Sequence, residues 1–122
     1  MKTEQYGVVT SIKNESGAAI EKGHFVSVSG STFVSSEDHN QKLGVCLANT
    51  DADEMMPVAV TGIVLCVTGA AVAKGEHVFC DTGTIFPIAF SDPPSTQQLE
   101  QIVGIALDAA SGAGESIRVL LS

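Results

Sequence analysis

The stretch Gly17–Gly23 reads GAAIEKG, and Gly69–Gly75 reads GAAVAKG. Five of the seven letters coincide, and a sixth exchanges Ile20 for Val72. The likeness runs on at one offset, so that GAAIEKGHFVSVSGSTFV aligns with GAAVAKGEHVFCDTGTIF. Farther along, LGVCLANTD (Leu43–Asp51) is echoed by VGIALDAAS (Val103–Ser111). Each echo leads through a polar turn into a strand-like run, PVAVTG after the first and SIRVLLS after the second. The chain is therefore expected to be one domain, residues 1–122, made of two degenerate halves at about 17–62 and 69–121. Two copies at so long a period do not make a solenoid.

The repeated letters have a backbone reading. The first glycine lets the chain leave a strand through a turn. Ala-Ala-Ile or Ala-Ala-Val crosses back with small side chains and sets one branched anchor, Ile20 or Val72, into the core. Lys-Gly then turns into the next strand, with Gly23 and Gly75 free to adopt positive φ. These are demands of geometry rather than catalysis, and Lys22 and Lys74 are expected to be exposed turn residues.

Strands are expected at Val8–Ile12, His24–Ser29, Thr32–Ser35, Leu43–Ala48, His77–Cys80, Thr84–Ala89, Ile102–Leu107 and Ser116–Leu121. PVAVTGIVLCV, starting at Pro57, reads as one bent strand or two short ones around Gly62, since glycine inside a strand often marks a bend. Gln98–Gln101 is expected to form one helical turn capped by Ser95 or Thr96. Short strands at near-regular spacing, with no amphipathic helix, indicate an all-β fold. The expected architecture is a single small pseudo-symmetric β-barrel or sandwich with an extended N-terminal arm, about residues 1–10.

Composition narrows the function. A chain of 122 residues with 44% hydrophobic residues can bury one modest core. Fourteen acidic against six basic residues give a net charge of −8, which repels a phosphate backbone and argues against nucleic acid as a partner. No run approaches the roughly 18 apolar residues that signal a membrane span. The start, MKTEQYGVVT, lacks the apolar core of a signal peptide, so synthesis in a cytoplasm is expected. Cys46, Cys66 and Cys80 are odd in number and sit in apolar runs, as buried free thiols do.

No catalytic or metal constellation emerges. His24, His39 and His77 do not fall at metal-ligand spacing. Asp51-Ala52-Asp53-Glu54 lacks the glycine and distal glutamate of a calcium loop. No serine stands in a nucleophile elbow and no glycine-rich phosphate loop is present. The expectation is a non-enzyme with no cofactor and no metal.

Several segments taken together resemble a known family. They are YGVVTSIKNESGAAIEKGHFVSV, LGVCLANTDADEMMPVAVTG, GAAVAKGEHVFCDTGTIFPI and VGIALDAASGAGESIRVLLS, in that order. They look like the small capsid decoration proteins of tailed bacteriophages, also called cement or head-stabilising proteins. The ending carries the pattern on Gly104, Ala106, Asp108, Ala110, Gly114, Glu115, Ile117, Val119 and Leu121. The resemblance implies a compact, β-tulip-like domain made in the host cytoplasm. It also implies binding to the major capsid protein on the outer face of the expanded head. Such proteins usually sit as homotrimers at three-fold positions and brace the shell against internal DNA pressure.

A contact surface follows as an expectation. Residues 1–10 precede the first repeat without a counterpart before the second. An arm of that kind can add as a strand to a sheet edge of the capsid protein or a neighbouring subunit. Thr3, Gln5, Tyr6 and Val8 are its expected contact residues, alternating on one face in strand geometry; the other reading leaves Met1–Gln5 frayed and makes Tyr6–Ile12 an ordinary first strand. Tyr6 is the natural anchor, because tyrosine is enriched at binding hot spots. The SDPPSTQQ segment is a second candidate contact. The rival reading is a non-catalytic ligand-binding module of the β-clip or antifreeze-like kind, which uses similar A-x-x-I-x-K-G turns. A lipoyl-type carrier is disfavoured, because no lysine stands in the Met-flanked or acidic hairpin it needs.

Overall fold

The computed structural model describes residues 2–34, 41–89, 93 and 95–121. In chain order the strands are β1 (Gln5–Tyr6), β2 (Val9–Lys13), β3 (Phe25–Ser27), β4 (Lys42–Cys46) and β5 (Met55–Ala59). They continue with β6 (Gly62–Val67), β7 (His77–Asp81), β8 (Thr84–Pro87), β9 (Gly104–Ala106) and β10 (Ser116–Leu121). One helix, α1 (Thr96–Gln101), precedes β9. One sheet has the order β1-β6-β10-β9-β7-β8 and the other β2-β5-β4-β3. All named strand pairs are antiparallel. The result is an all-β sandwich of open sheets rather than a closed barrel. Thr68 beyond β6 touches Ile85 of β8 through an isolated parallel bridge.

The expected elements differ from these in instructive places. PVAVTGIVLCV is two strands, because Gly62 takes φ 108° and redirects the chain between the sheets. Thr32 contributes only an isolated bridge with Val26, and Ser35 lies outside the described residues. The helix starts at Thr96 with Ser95 as cap. Ser95 Oγ accepts from Gln98 N, and the Gln98 side chain accepts from Ser95 N, a reciprocal capping box.

The repeated corner does the same work twice. Ile20 and Val72 are 4% and 3% exposed. Ile20 exchanges two backbone bonds with Thr50, at 2.9 Å each, and Val72 exchanges two with Ala110, at 3.0 and 2.8 Å. Gly23 N donates to Cys46 O and Gly75 N to Ala106 O, both at 2.8 Å. The two glycines have φ 91° and 90°, a conformation that costs an L residue energy and glycine none. Upstream, Asn14 N donates to Glu54 O and Thr68 N to Glu115 O, both at 2.8 Å. Asn14 and Thr68 are the buried polar anchors of the two corners.

These bonds make β2 and β6 counterparts, because each is the strand that feeds a corner. Val9 and Thr10, expected to lie in an unmatched arm, therefore belong to the duplicated scheme. Each half also has its own core. In the first, Ile20, Val26, Cys46, Met56 and Val58 pack together with Ile12. In the second, Val72, Val78, Ala106, Ile117 and Val119 occupy the matching places with Cys66. Burial of each such side chain contributes on the order of 1.5–3 kcal/mol. The halves then join through the opposite face of the four-stranded sheet. Phe25, Val45 and Ala59 pack into the second half's cluster, beside Val64, Ile85 and Val103.

Candidate contact surface

The arm is not free of its own chain. Gln5 pairs with Ile63 and Tyr6 with Gly62, so β1 covers the outer edge of β6. Farther along that edge, Glu4 places its carboxylate where a strand would place a carbonyl and accepts from Leu65 N at 3.0 Å. The Lys22 ammonium meets the other Glu4 oxygen at 3.1 Å. Burial pushes the Glu4 carboxyl up, but the bonds from Leu65 N, Lys22 and the Tyr6 hydroxyl outweigh it and hold the group below the usual range. The Tyr6 phenol is raised, by burial and by the Glu4 charge beside it. Lys22 is thus the clamp of the arm rather than a bare turn residue. Lys2 adds a bond from Nζ to Ser116 O at 2.7 Å.

Thr3, Gln5, Tyr6 and Val8 are all exposed, Tyr6 by 43% and Val8 by 57%. They do not share one face, because strand alternation puts Thr3 and Gln5 on one side and Tyr6 and Val8 on the other. Val8 N donates to Thr61 Oγ1 and Val8 O accepts from Val60 N, each at 2.8 Å, which ties the crossing from β1 to β2. Val9 and Met55, at opposite ends of the β2–β5 ladder, are 46% and 61% exposed. In the SDPPSTQQ segment, residues 91, 92 and 94 lie outside the described residues.

A second apolar surface was not foreseen. In register across the larger sheet stand Gln5, Ile63, Leu120, Ile105 and His77. Ile63, Ile105 and His77 are half-buried, and Leu120 is 44% exposed. Phe79 and Phe86 continue that face, their rings stacked 5.6 Å apart. The outward parity of β6 in GIVLCV was the available signal: Ile63, Leu65 and Val67, which alternate with the buried positions, are also apolar, and β10 adds Leu120.

Chemistry-bearing groups are few. Among the described residues, no three His, Cys, Asp or Glu side chains are placed to hold a metal. The three thiols are buried, and burial raises Cys66. A cavity of about 240 Å³ lies between the sheets, with Phe25, Leu43, Val60, Ile102 and Leu121 among its walls. Lys42 stands at this cavity, its ammonium 5.9 Å from the Phe33 ring centre and 3.4 Å from Glu100 O. Burial lowers its pKa.

A sandwich with exposed apolar faces and edges suits a protein that binds other proteins. The model of the phage cement protein family matches residues 4–121. The chain belongs to that family. This cement protein is a structural component of a phage capsid. No curated protein sequence matches it. Among solved structures it is similar to the N-terminal base of head fibre gp8.5 of bacteriophage phi29, with a TM-score of 0.59. That match is 14% identical and covers 94% of this chain and 95% of the other, which marks a shared fold.

Proposed function

We propose that this cement protein binds the outer surface of the expanded phage head, on the major capsid protein. It sits there as homotrimers at three-fold positions and braces the shell against internal DNA pressure. The reading is carried by the family match over nearly the whole chain. It is supported by the exposed apolar residues Tyr6, Val8 and Val9 where the arm crosses between sheets. Its role is mechanical and non-catalytic, and with a charge of −8 it does not bind nucleic acid.

Thr3, Gln5, Tyr6 and Val8 form the capsid contact in this reading. The arm is held by its own β6, so it presents side chains to the capsid rather than invading a capsid sheet. Co-sedimentation with expanded heads and with unexpanded precursors tests the proposal. Saturable binding to expanded heads alone, near one copy per capsid subunit, is expected. Binding to neither particle, or equally to both, overturns it.

A further inference from the structure

The two halves are stacked head to tail, and a head-to-tail stack leaves one complementary surface bare at each end. At the internal junction the first corner of the chain seats on the edge of β6. Gly23 O accepts from Val67 N at 3.1 Å, and the position where Gly23 would carry a Cβ is 3.0 Å from a Val67 methyl. The second corner has no such seat. Among the described residues, nothing lies within 4 Å of the corresponding position on Gly75.

Among the described residues, the strand that corresponds to β6 is also unpaired on its outer edge. β2 is the outermost strand of its sheet. Ser11 is paired with Pro57, which has no N–H and whose carbonyl is turned away to accept from Leu47 N. The Ser11 backbone polar groups therefore point to the open edge. Their counterpart on β6 is Leu65, whose N–H is taken by Glu4. Val9, beside Ser11, is 46% exposed, unusual for a valine within a sheet.

The row across the sheet tells the same story. Phe25, Val45 and Ala59 are at most 3% exposed because the second half lies on them. Their counterparts Ile105 and Leu120 hold the same register on the outer face, Ile105 half-buried and Leu120 44% exposed. The occupant such a surface is shaped for is the unit that already occupies its twin.

We propose that copies of this chain associate head to tail, with the Lys74–Gly75 corner and the Ile105–Leu120 row of one copy seated on the open β2 edge of the next. The corner contact repeats between chains the one that Gly23 makes with β6 within one chain. This rests on the reading that the protein works in several copies, and it names the surfaces involved.

The test uses Lys13→Cys and Lys74→Cys in separate full-length chains with a short bis-maleimide. Lys13 corresponds to Val67 and makes only an exposed 3.8 Å pair with Asp53. The native thiols are buried and stay unlabelled. Cross-linked dimers are expected when the two variants are mixed and not from either alone. Cross-linking of either variant alone shows a two-fold contact and overturns the proposal. No product from the mixture, at a concentration where sedimentation shows a multimer, overturns it while leaving the multi-copy reading intact. A monomer at every concentration overturns both. Leu120→Glu, on the exposed row, is expected to weaken self-association about tenfold or more with its melting temperature kept. Unchanged association counts against the row.

Discussion

The two halves of this cement protein solve the same backbone problem in different surroundings. The row Phe25–Val45–Ala59 lies in the interior, whereas His77–Ile105–Leu120 holds the same register at the surface. The first corner grips β6 of the other half, whereas among the described residues nothing lies within 4 Å of the Cβ position on Gly75 of the second. A duplicated fold therefore does not give duplicated surfaces. Once one unit stacks on the other, the copies at the two ends of the stack face different neighbours, and their side chains diverge accordingly.

The sharpest way to test this contrast is at two glycines. A Cβ on Gly44 would fall 2.1 Å from Ala59 O, and one on Gly104 would fall 2.3 Å from Leu120 O. Both are forbidden approaches to backbone, but β4 lies inside its sheet with apolar clusters on both faces. Gly44→Ala is expected to cost about 3 kcal/mol or more, because overpacking there has no outlet. Gly104→Ala should cost about 1–2 kcal/mol less, because the outer face of β9 and β10 is free to give. Urea unfolding of both variants measures the gap, and equal losses would break the comparison.

Next comes the row itself. Val45→Ala removes two methyls from a site with 0% exposure and should cost about 2 kcal/mol. Ile105→Ala removes more carbon from a half-buried site and should cost about 1 kcal/mol or less in dilute solution. If the second loss grows as protein concentration rises, the row is covered in the associated state. A loss at Ile105 matching that at Val45 in a dilute monomer would mean that the face is already covered within the chain.

What the sequence revealed follows the same division. The corners were legible because Gly23 and Gly75, Ile20 and Val72 meet identical demands in both halves: a positive φ and one branched anchor. The equivalence of β2 and β6 was not legible. VTSIK and GIVLCV share almost no letters in register, since β2 is an exposed edge and β6 is flanked on both sides. Burial wrote the second sequence and water wrote the first, over one backbone role. The arm's pairing with its own β6 was not legible for a related reason. Its pairing with β6 is only two residues long and is completed by the Glu4 side chain, which leaves no apolar alternation to read.

The corner anchors differ in degree. The Asn14 amide donates to Ala18 O, Thr50 O and Asp51 O, and its carbonyl accepts from Ser16. Thr68 Oγ1 donates to Gly112 O and accepts from Glu115 N. Asn14→Ala is expected to cost about 2–3 kcal/mol and Thr68→Val about 1 kcal/mol, since the first leaves more buried groups unpaired. Thermal unfolding of the two variants checks the order, and the reverse order would put the tighter corner in the second half.

The smallest expected effect lies where a single imino acid separates the halves. Leu47 N donates to Pro57 O in the first half and Leu107 N to Arg118 O in the second, both at 2.9 Å. Pro57 has no N–H, and Ala48 beside it needs no acceptor. Arg118 has one, and Asp108, the counterpart of Ala48, takes it at 3.0 Å and grips the guanidinium at 3.0 and 3.1 Å. The Arg118 bonds hold the Asp108 carboxyl down at about 2. A depressed folded value stabilises the protein above the unfolded carboxyl pKa of about 3.9 and ceases to do so as pH falls through about 2. Asp108→Asn should therefore lower stability by about 1 kcal/mol at pH 7 and converge on the parent near pH 2. A pH-independent difference would mean that the aspartate acts only as an acceptor for the Arg118 N–H, the one group that Pro57 spares the other half.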